Sequence, residues 1–164
     1  MKKEFDILIR KHGLALTKLC LSLTGNRYDA EDLYQAVWER AMRKYKRYDR
    51  AKPFDKWLFT ICVNLYRDRL KRYDNSKLVR FQTDEEQEHF LSSIPSDEDN
   101  RDEYIALRIA VRKLKPSLRE AIVLYYFRDY SIADLAEILS IPEGTVKSRL
   151  SAARQELRKE LNDD

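Results

Sequence analysis

The sequence predicts an all-α protein with two small helical domains joined by a flexible acidic linker. Apolar residues recur at helical spacing over residues 3–72 and again over residues 104–161, where the C-terminal part has the pattern of a helix-turn-helix. Between these two stretches the helical spacing of apolar residues ends. The segment from Gln82 to Glu103 contains nine acidic residues and one arginine. We therefore expect an N-terminal domain over residues 1–73, a linker over 74–101 and a C-terminal domain over 102–164.

Composition limits the partners that the chain can bind. Outside the acidic segment the chain has 31 basic and 19 acidic residues. This surplus of 12 basic residues indicates a polyanionic partner. Three glycines are too few for a glycine-rich phosphate loop or a dinucleotide-binding motif. The two cysteines, Cys20 and Cys62, lie far apart in the sequence on apolar helix faces, which predicts core thiols in a reducing compartment.

The first predicted helix runs from about residue 3 to residue 24, with an apolar stripe that includes Phe5 and Leu23. Charges interrupt every apolar run of this segment, so we interpret it as neither a signal peptide nor a membrane span. We expect a cytoplasmic protein without membrane insertion. His12 falls on the apolar stripe and His89 in the acidic segment, and we assign neither a ligand role.

Gly25 and Asn26 end the first helix, and the second opens with three acids, Asp29, Glu31 and Asp32. Acids in a first turn complement the positive helix N-terminus and can cap it, which is a purely structural interpretation. A metal-dependent nuclease that uses these acids is an alternative. Against it, the acids lie within one helical turn, point in different directions and have no histidine nearby.

Basic and aromatic residues alternate over residues 40–56, a composition suited to binding single-stranded nucleic acid with Tyr45, Tyr48 and Phe54 stacked on bases. A solvated basic helix end is the alternative. A third helix starts at Pro53 and has a core face beside a basic, amide-bearing face, which favours contact with DNA. This second face, with Trp57 on its border, carries Lys56, Thr60, Asn64, Arg67 and Lys71.

The C-terminal domain begins with a predicted helix that ends near Pro116. Ser117 and Glu120 have the spacing of a capping box for the helix that follows. That helix contains the run VLYYF, residues 123–127, which is too apolar for a surface, and we predict that it forms the core on which the helix-turn-helix packs.

The helix-turn-helix occupies residues 131–161. Ser131 and Asp134 predict a capping box for its first helix, and Pro142 lies in the break between its two helices. Apolar spacings of 4, 3 and 4 residues fix which side of the second helix faces out, and that side is polar and basic, as in helices that enter the major groove of DNA. It carries Lys147, Ser148, Ser151, Gln155 and Arg158. An ordinary helical hairpin with a solvated face is the alternative.

The run GTVKSRLSAARQEL, and residues 144–150 above all, resembles the recognition helix of the −35-binding domain of bacterial sigma factors of the extracytoplasmic-function type. The resemblance implies that the last helix binds the −35 promoter element. Within this run, Ala152 stands at a position where the family often has a basic residue. Ala36, in the segment DAEDLYQAVWERAM described in the next paragraph, stands where the family often has an acid. The −35 contacts so implied are Thr145, Lys147, Ser148, Ser151, Arg154, Gln155 and Arg158.

Two further runs, DAEDLYQAVWERAM and KPFDKWLFTICVNLYRDRLKR, resemble the first domain of the same family. The first run implies that Asp29, Asp32 and Gln35 bind the β′ clamp coiled coil of RNA polymerase. The second implies reading and melting of the −10 element, with a flipped base held by Asn64 and the loop at about residues 47–52. The −10 residues so implied are Lys56, Trp57, Thr60, Asn64, Arg67 and Lys71.

By this resemblance, the partners are core RNA polymerase, including its β subunit, promoter DNA and an anti-sigma factor. The chain itself would need no metal, cofactor or catalytic residue. A helix-turn-helix regulator that binds duplex DNA without polymerase is the alternative, and it leaves residues 29–35 and 40–56 unexplained. The acidic linker is either an extended spacer or a mimic of nucleic acid in a positively charged polymerase channel.

Overall fold

The computed structural model describes residues 2–76 and 101–162, and within these ranges the chain forms helices and short connections only. The first range contains α1 (Lys2–Thr24), α2 (Arg27–Lys44), a 3₁₀ turn (Tyr45–Arg47) and α3 (Phe54–Ser76). The second contains α4 (Arg101–Lys113), α5 (Pro116–Arg128), α6 (Ile132–Leu139) and α7 (Glu143–Asn162). The all-α prediction is confirmed. The predicted acidic linker, with His89, lies almost wholly outside the described residues.

No helix in the two described ranges combines the length and the apolar character that a membrane crossing requires.

The break between α1 and α2 falls where the sequence predicts it. Gly25 has a φ of 72°, in the left-handed region that glycine adopts most readily. A Cβ atom on Gly25 would lie 1.8 Å from Nε of Arg112, so the Arg112 side chain of α4 would have to move to accept a side chain there. Asn26 then caps α2, because its Oδ1 accepts a hydrogen bond from the Asp29 backbone N–H at 2.9 Å. The turn therefore starts α2 and brings α4 close to the end of α1.

Aromatic side chains fill much of the N-terminal core. The ring of Phe5 lies 4.9 Å from that of Tyr45 and 6.2 Å from that of Trp38, while Phe54 lies 6.3 Å from Trp38. Tyr45 and Phe54 are buried, so the prediction that they stack on bases is wrong. The physical reason is the 3₁₀ turn after α2, which folds this stretch back onto α1.

The two cysteines are core residues, as predicted. Cys20 on α1 and Cys62 on α3 are fully buried free thiols with their Sγ atoms 3.9 Å apart. The hydrogen bond with Cys20 and burial raise the pKa of the Cys62 thiol well above its ordinary value. Such a thiol stays protonated and is therefore a poor nucleophile.

The C-terminal domain is built around α5, whose residues 121–124 are all buried. The predicted core position of the VLYYF run is confirmed for its first two residues and is wrong for Tyr126, which is 58% exposed. Tyr126 lies at the edge of the domain beside α7, where the helix surface meets solvent. The predicted apolar stripe of α7 is buried at Val146, Leu150 and Ala153.

One of the two predicted capping boxes is present. Ser131 Oγ accepts the Asp134 N–H at 3.1 Å, and Asp134 Oδ2 accepts the Ser131 N–H at 3.2 Å, as predicted for α6. The prediction that Ser117 and Glu120 form a capping box for α5 is wrong. The N-cap of α5 is Lys115, and Pro116 lies in its first turn. Glu120, which was predicted to take part in this box, is buried.

The two domains lie against each other: α1 contacts α4 and α5, and α3 contacts α6. Hydrogen bonds as well as apolar contacts cross the boundary between the two domains. Tyr130 Oη donates to Asp55 Oδ2 at 2.6 Å, and Arg108 donates to the hydroxyl of Ser22. The arrangement brings the predicted nucleic-acid face of α3 next to the helix-turn-helix.

Candidate nucleic-acid and protein interfaces

The outward side of α7 is open to solvent along most of its length. Ser148 lies in its first turns, and its hydroxyl donates to the Gly144 carbonyl at 3.0 Å. A polar, basic side at the start of the second helix of a helix-turn-helix has the placement needed to meet base edges in a major groove. Of the residues predicted here, Thr145 and Arg154 are half-buried, and those exposed are Lys147, Ser148, Ser151, Gln155 and Arg158.

Arg154 is held by two tyrosines of α5. Its Nε donates to Tyr126 Oη at 2.8 Å, and its guanidinium carbon lies 5.5 Å and 5.7 Å from the ring centroids of Tyr125 and Tyr126. These are distances for a cation–π contact, and the hydrogen bond to Tyr126 raises the pKa of Arg154. The two rings therefore fix one cation beside the exposed side of α7. This pair was not predicted from the sequence, because the apolar VLYYF run gives no local signal that Tyr126 faces out.

The face of α3 that is predicted to bind nucleic acid is partly exposed to solvent. Asn64 and Lys71 are exposed, while Thr60 is half-buried and its hydroxyl donates to a backbone carbonyl one turn earlier at 2.7 Å. Trp57 is half-buried, with its ring centroid 5.0 Å from that of Tyr48 in the preceding loop. The structure therefore presents one exposed amide near a half-buried aromatic pair.

The other two cations of this face are paired with acids of the C-terminal domain. Lys56 Nζ lies 2.9 Å from Asp134 Oδ1 and 2.6 Å from Glu137 Oε2, and Arg67 Nη2 lies 3.0 Å from Glu120 Oε2. The hydrogen bonds with Glu137 and Asp134 raise the pKa of Lys56, and the hydrogen bond from Lys56 lowers the pKa of each carboxylate. Acidic residues of the C-terminal domain thus cover part of the α3 face.

The three α2 residues predicted to bind a protein lie in two environments. Asp29 is half-buried and accepts a hydrogen bond from the amide of Asn26, the residue that caps the helix. Asp32 and Gln35 are exposed, and Asp32 Oδ2 lies 3.7 Å from Nη1 of Arg69. Asp32 and Gln35 are therefore the more exposed of the three residues, whereas Asp29 also contributes to the helix N-terminus.

Two large apolar side chains are exposed on the same helix as Gln35. Tyr28 is 73% exposed and Met42 is 50% exposed. Each lies seven residues from Gln35, about two helical turns, so the three residues share one side of α2. Tyrosine and methionine are enriched in protein interfaces, which makes this side a candidate for protein binding. Neither residue was predicted from the sequence, because the local pattern of α2 does not distinguish an exposed apolar side chain from a core one.

The acids at the start of α2 do not converge on a common point. Glu31 pairs with Arg27 at 3.0 Å, one turn earlier on the same helix, while Asp29 bonds to Asn26. Asp32 faces α3 instead. This divergence argues against the nuclease alternative, which requires the carboxylates to share one metal.

Two family models match the chain, one in each domain. The model for sigma-70 region 2 matches residues 8–76, and the model for sigma-70 region 4 matches residues 104–157. The matches cover most of α1, all of α2 and α3, and most of α4 to α7, and the gap between them falls on the predicted linker.

Curated and solved relatives agree with these matches. The ECF RNA polymerase sigma factor SigW of Bacillus subtilis is 33% identical over 154 residues, 89% of this chain and 82% of SigW. The ECF sigma factor SigE of Mycolicibacterium smegmatis is 29% identical, and the match spans 94% of this chain but only 60% of SigE. The sigma factor RpoE of Bartonella quintana, in complex with the anti-sigma factor NepR, superposes with a TM-score of 0.76 at 28% identity over 99% of each chain.

Proposed function

Because the chain belongs to the extracytoplasmic-function sigma factors of bacterial RNA polymerase, we propose that α2, α3 and α7 carry its three binding faces. A sigma factor directs promoter-specific transcription initiation by core RNA polymerase and is not itself an enzyme. The polymerase-independent regulator is not favoured, because it gives region 2 no role. The single observation that carries the assignment of faces is the exposed polar, basic side of α7 within the region 4 match.

We assign −35 recognition to the outward side of α7. Lys147 and Ser151, exposed in its first turns, reach base edges in the major groove, where a lysine ammonium suits guanine acceptors. Arg158 lies two turns after Ser151 and contacts phosphate, which positions the helix without reading sequence. Thr145, Ser148, Arg154 and Gln155 complete this face.

We assign −10 recognition to α3. Asn64 is exposed, and an asparagine amide can donate and accept at once, as reading a base edge requires. The loop at residues 47–52 and Trp57 border the site, with Tyr48 packed on Trp57. Lys56, Thr60, Arg67 and Lys71 supply the polar and cationic surroundings for the DNA backbone.

We assign core polymerase binding to the side of α2 that carries Asp32 and Gln35. Tyr28 and Met42 extend that side at both ends and supply the apolar anchors that a stable interface needs. Asp29 supports the same face indirectly, by holding the helix cap.

Partners and location follow from these assignments. The solved RpoE relative is bound to the anti-sigma factor NepR, and its whole-chain superposition supports an anti-sigma factor as a partner here. Core polymerase and promoter DNA reside in the bacterial cytoplasm, which is where this sigma factor works. A role for the acidic linker as a nucleic-acid mimic in the polymerase stays a prediction.

Transcription assays with core polymerase test the assignment. A promoter selected from random duplex DNA by the wild-type holoenzyme serves as the template. Lys147→Ala should lose discrimination at one −35 position, at a cost of about 1 to 3 kcal/mol, whereas Arg158→Ala should weaken binding evenly across sequences. Asn64→Ala should impair opening of duplex but not of a template premelted over the −10 element. Unchanged discrimination by the Lys147 variant would refute the −35 assignment.

A further inference from the structure

The outward side of α1 carries two large aliphatic side chains that are exposed to solvent. Ile7 is 65% exposed and Leu14 is 66% exposed, more than any other leucine, isoleucine or valine in the part of the chain that the structure describes. Leu16 and Leu23 each follow one of these residues by nine positions, which is half a turn around the helix, and both are fully buried. The two exposed residues therefore lie on the side of α1 that faces away from the core.

Cations surround both aliphatic side chains in a repeated pattern. Each aliphatic residue has one cation a helical turn before it and another a turn after it, and the pattern recurs after seven residues. Its members are Lys3, Ile7 and Lys11, followed by Arg10, Leu14 and Lys18. All four cations are exposed. We call these six residues the α1 ridge.

The cations of the α1 ridge form no ion pair with any acid among the described residues, where the ion pairs all involve other side chains. Glu4 is engaged elsewhere, because it accepts a hydrogen bond from Tyr45 Oη at 2.6 Å and lies 3.4 Å from Arg50 Nη2. Asp6, one turn before Arg10, lies only at the edge of this side of the helix. The α1 ridge is therefore a positive surface with two apolar side chains between its cations.

The pattern fits a facing protein helix better than other occupants. Aliphatic residues spaced by seven pack against those of a second helix in coiled coils, and flanking charges of opposite sign set the pairing. A second copy of α1 would bring like charges together, which disfavours self-association. The Ile7 and Leu14 side chains together are smaller than a myristoyl chain, which alone gives only marginal membrane binding. A nucleic-acid backbone would use the cations but would leave both aliphatic side chains in water.

We propose that the α1 ridge is a docking site for an acidic amphipathic helix of a partner protein. Such a helix places apolar residues spaced by seven against Ile7 and Leu14, and Asp or Glu side chains beside the four cations. Two repeats of this pattern take about 14 residues, or about 21 Å of helix. Since α1 carries none of the three faces assigned to polymerase and promoter, the ridge is a fourth binding face, and the proposal does not depend on those assignments.

The test uses the full chain and a fluorescein-labelled synthetic helix of about three heptads, with leucines at the a and d positions and glutamates beside them. A second peptide with lysines in place of the glutamates shows whether charge matters. Ile7→Ala combined with Leu14→Ala removes the aliphatic pair and keeps a high helix propensity, and Arg10→Gln combined with Lys11→Gln removes two cations. Circular dichroism and thermal melting establish that each variant is folded.

Each ridge variant has a matched control in the C-terminal domain. Leu107→Ala combined with Leu161→Ala removes two other exposed aliphatic side chains. Lys115→Gln combined with Lys159→Gln removes two other exposed cations. Binding to vesicles that contain phosphatidylserine, and sedimentation of the free chain, measure the membrane and the second copy as alternative occupants.

We expect the wild type and both controls to bind the glutamate peptide, and the aliphatic variant to bind it about ten-fold more weakly. The Arg10 and Lys11 variant should also bind it more weakly, and its affinity should depend less on salt. The lysine peptide should not bind.

Equal affinities of the ridge variants and their controls would overturn the proposal, as would wild-type binding of both peptides or of neither. Vesicle binding or self-association that the ridge variants lose, without binding of the glutamate peptide, would also overturn it and would assign the ridge to a membrane or to a second copy of the chain.

Discussion

Arg119 Nη1 donates hydrogen bonds to Tyr66 Oη at 2.7 Å and to the Leu23 carbonyl at 3.0 Å, which ties the C-terminal domain to both α1 and α3. The side chain is only 6% exposed. Its positive charge lies at the carbonyl ends of α1 and α4, where the helix dipoles are negative. Its remaining donors bind carbonyls at the end of α4, those of Val111, Arg112 and Leu114.

Replacement of Arg119 tests how much this junction stabilises the fold. Arg119→Lys keeps the charge but cannot span five acceptors, so we expect a loss of about 2 kcal/mol or more in the free energy of unfolding. Tyr66→Phe removes one acceptor of the same network and should cost about 1 kcal/mol. Urea unfolding of the full chain measures both. A lysine variant as stable as the wild type would show that the fork geometry is dispensable.

Asp29 and Asp32 are three residues apart but should respond differently to mutation. Asp29→Ala loses the contact with the Asn26 cap and should destabilise the fold by about 1 kcal/mol. Asp32→Lys reverses the charge at an exposed position and should reduce affinity for core polymerase with little change in melting temperature. Melting curves and a polymerase binding assay on both variants distinguish the two roles. Lower polymerase affinity of a fully stable Asp29 variant would make Asp29 a direct contact instead.

Features set by neighbouring residues were predictable from the sequence. The α6 capping box depends on Ser131 and Asp134 alone, and the exposed side of α7 follows from the helical period of its apolar residues. The break at Gly25 was likewise marked by residue type, although the close approach of the Arg112 side chain was not. Local chemistry thus fixed the elements and their outward faces.

Features set by the approach of the two domains were not predictable. Glu120 had the spacing of a helix cap, yet it is buried against Arg67, 53 residues earlier in the chain. Lys56 meets Glu137 across 81 residues. A solvated cation and a paired one have the same local sequence pattern, so only the tertiary arrangement shows which residues of the α3 face are covered.

His12 predicts a pH dependence of stability. It is half-buried with its ring 5.1 Å from that of Phe54, and burial lowers its pKa, although Asp55 opposes this effect. The unfolded chain then binds the proton more tightly, so the contribution of His12 is complete above about pH 6.5 and is lost as the pH falls through the folded-state pKa.

The melting temperature should therefore fall between about pH 7.5 and about pH 5.5, and the fall should be smaller in His12→Gln. His89→Gln is the matched control, since it removes the other histidine of the chain. Identical pH profiles for the wild type and His12→Gln would show that other groups carry the dependence.

Tyr126 should contribute to −35 binding through Arg154. Tyr126→Phe removes the hydroxyl that accepts the Arg154 N–H but keeps the ring beneath the guanidinium. A lost hydrogen bond of about 1 kcal/mol corresponds to about five-fold weaker promoter binding by the holoenzyme. The loss should be even across −35 sequences if Arg154 contacts phosphate. Tyr34→Phe, which removes a tyrosine hydroxyl of α2 outside the three assigned faces, is the matched control.

The double variant decides whether the two residues act as a unit. If Tyr126 works by orienting Arg154, adding Tyr126→Phe to Arg154→Ala should cause no further loss of promoter affinity, whereas independent contacts would give additive losses. Additivity would make Tyr126 a phosphate contact in its own right, because its hydroxyl could then donate to DNA directly. Full promoter affinity in both single variants would remove the tyrosine pair from the −35 interface and leave it a surface feature of α5.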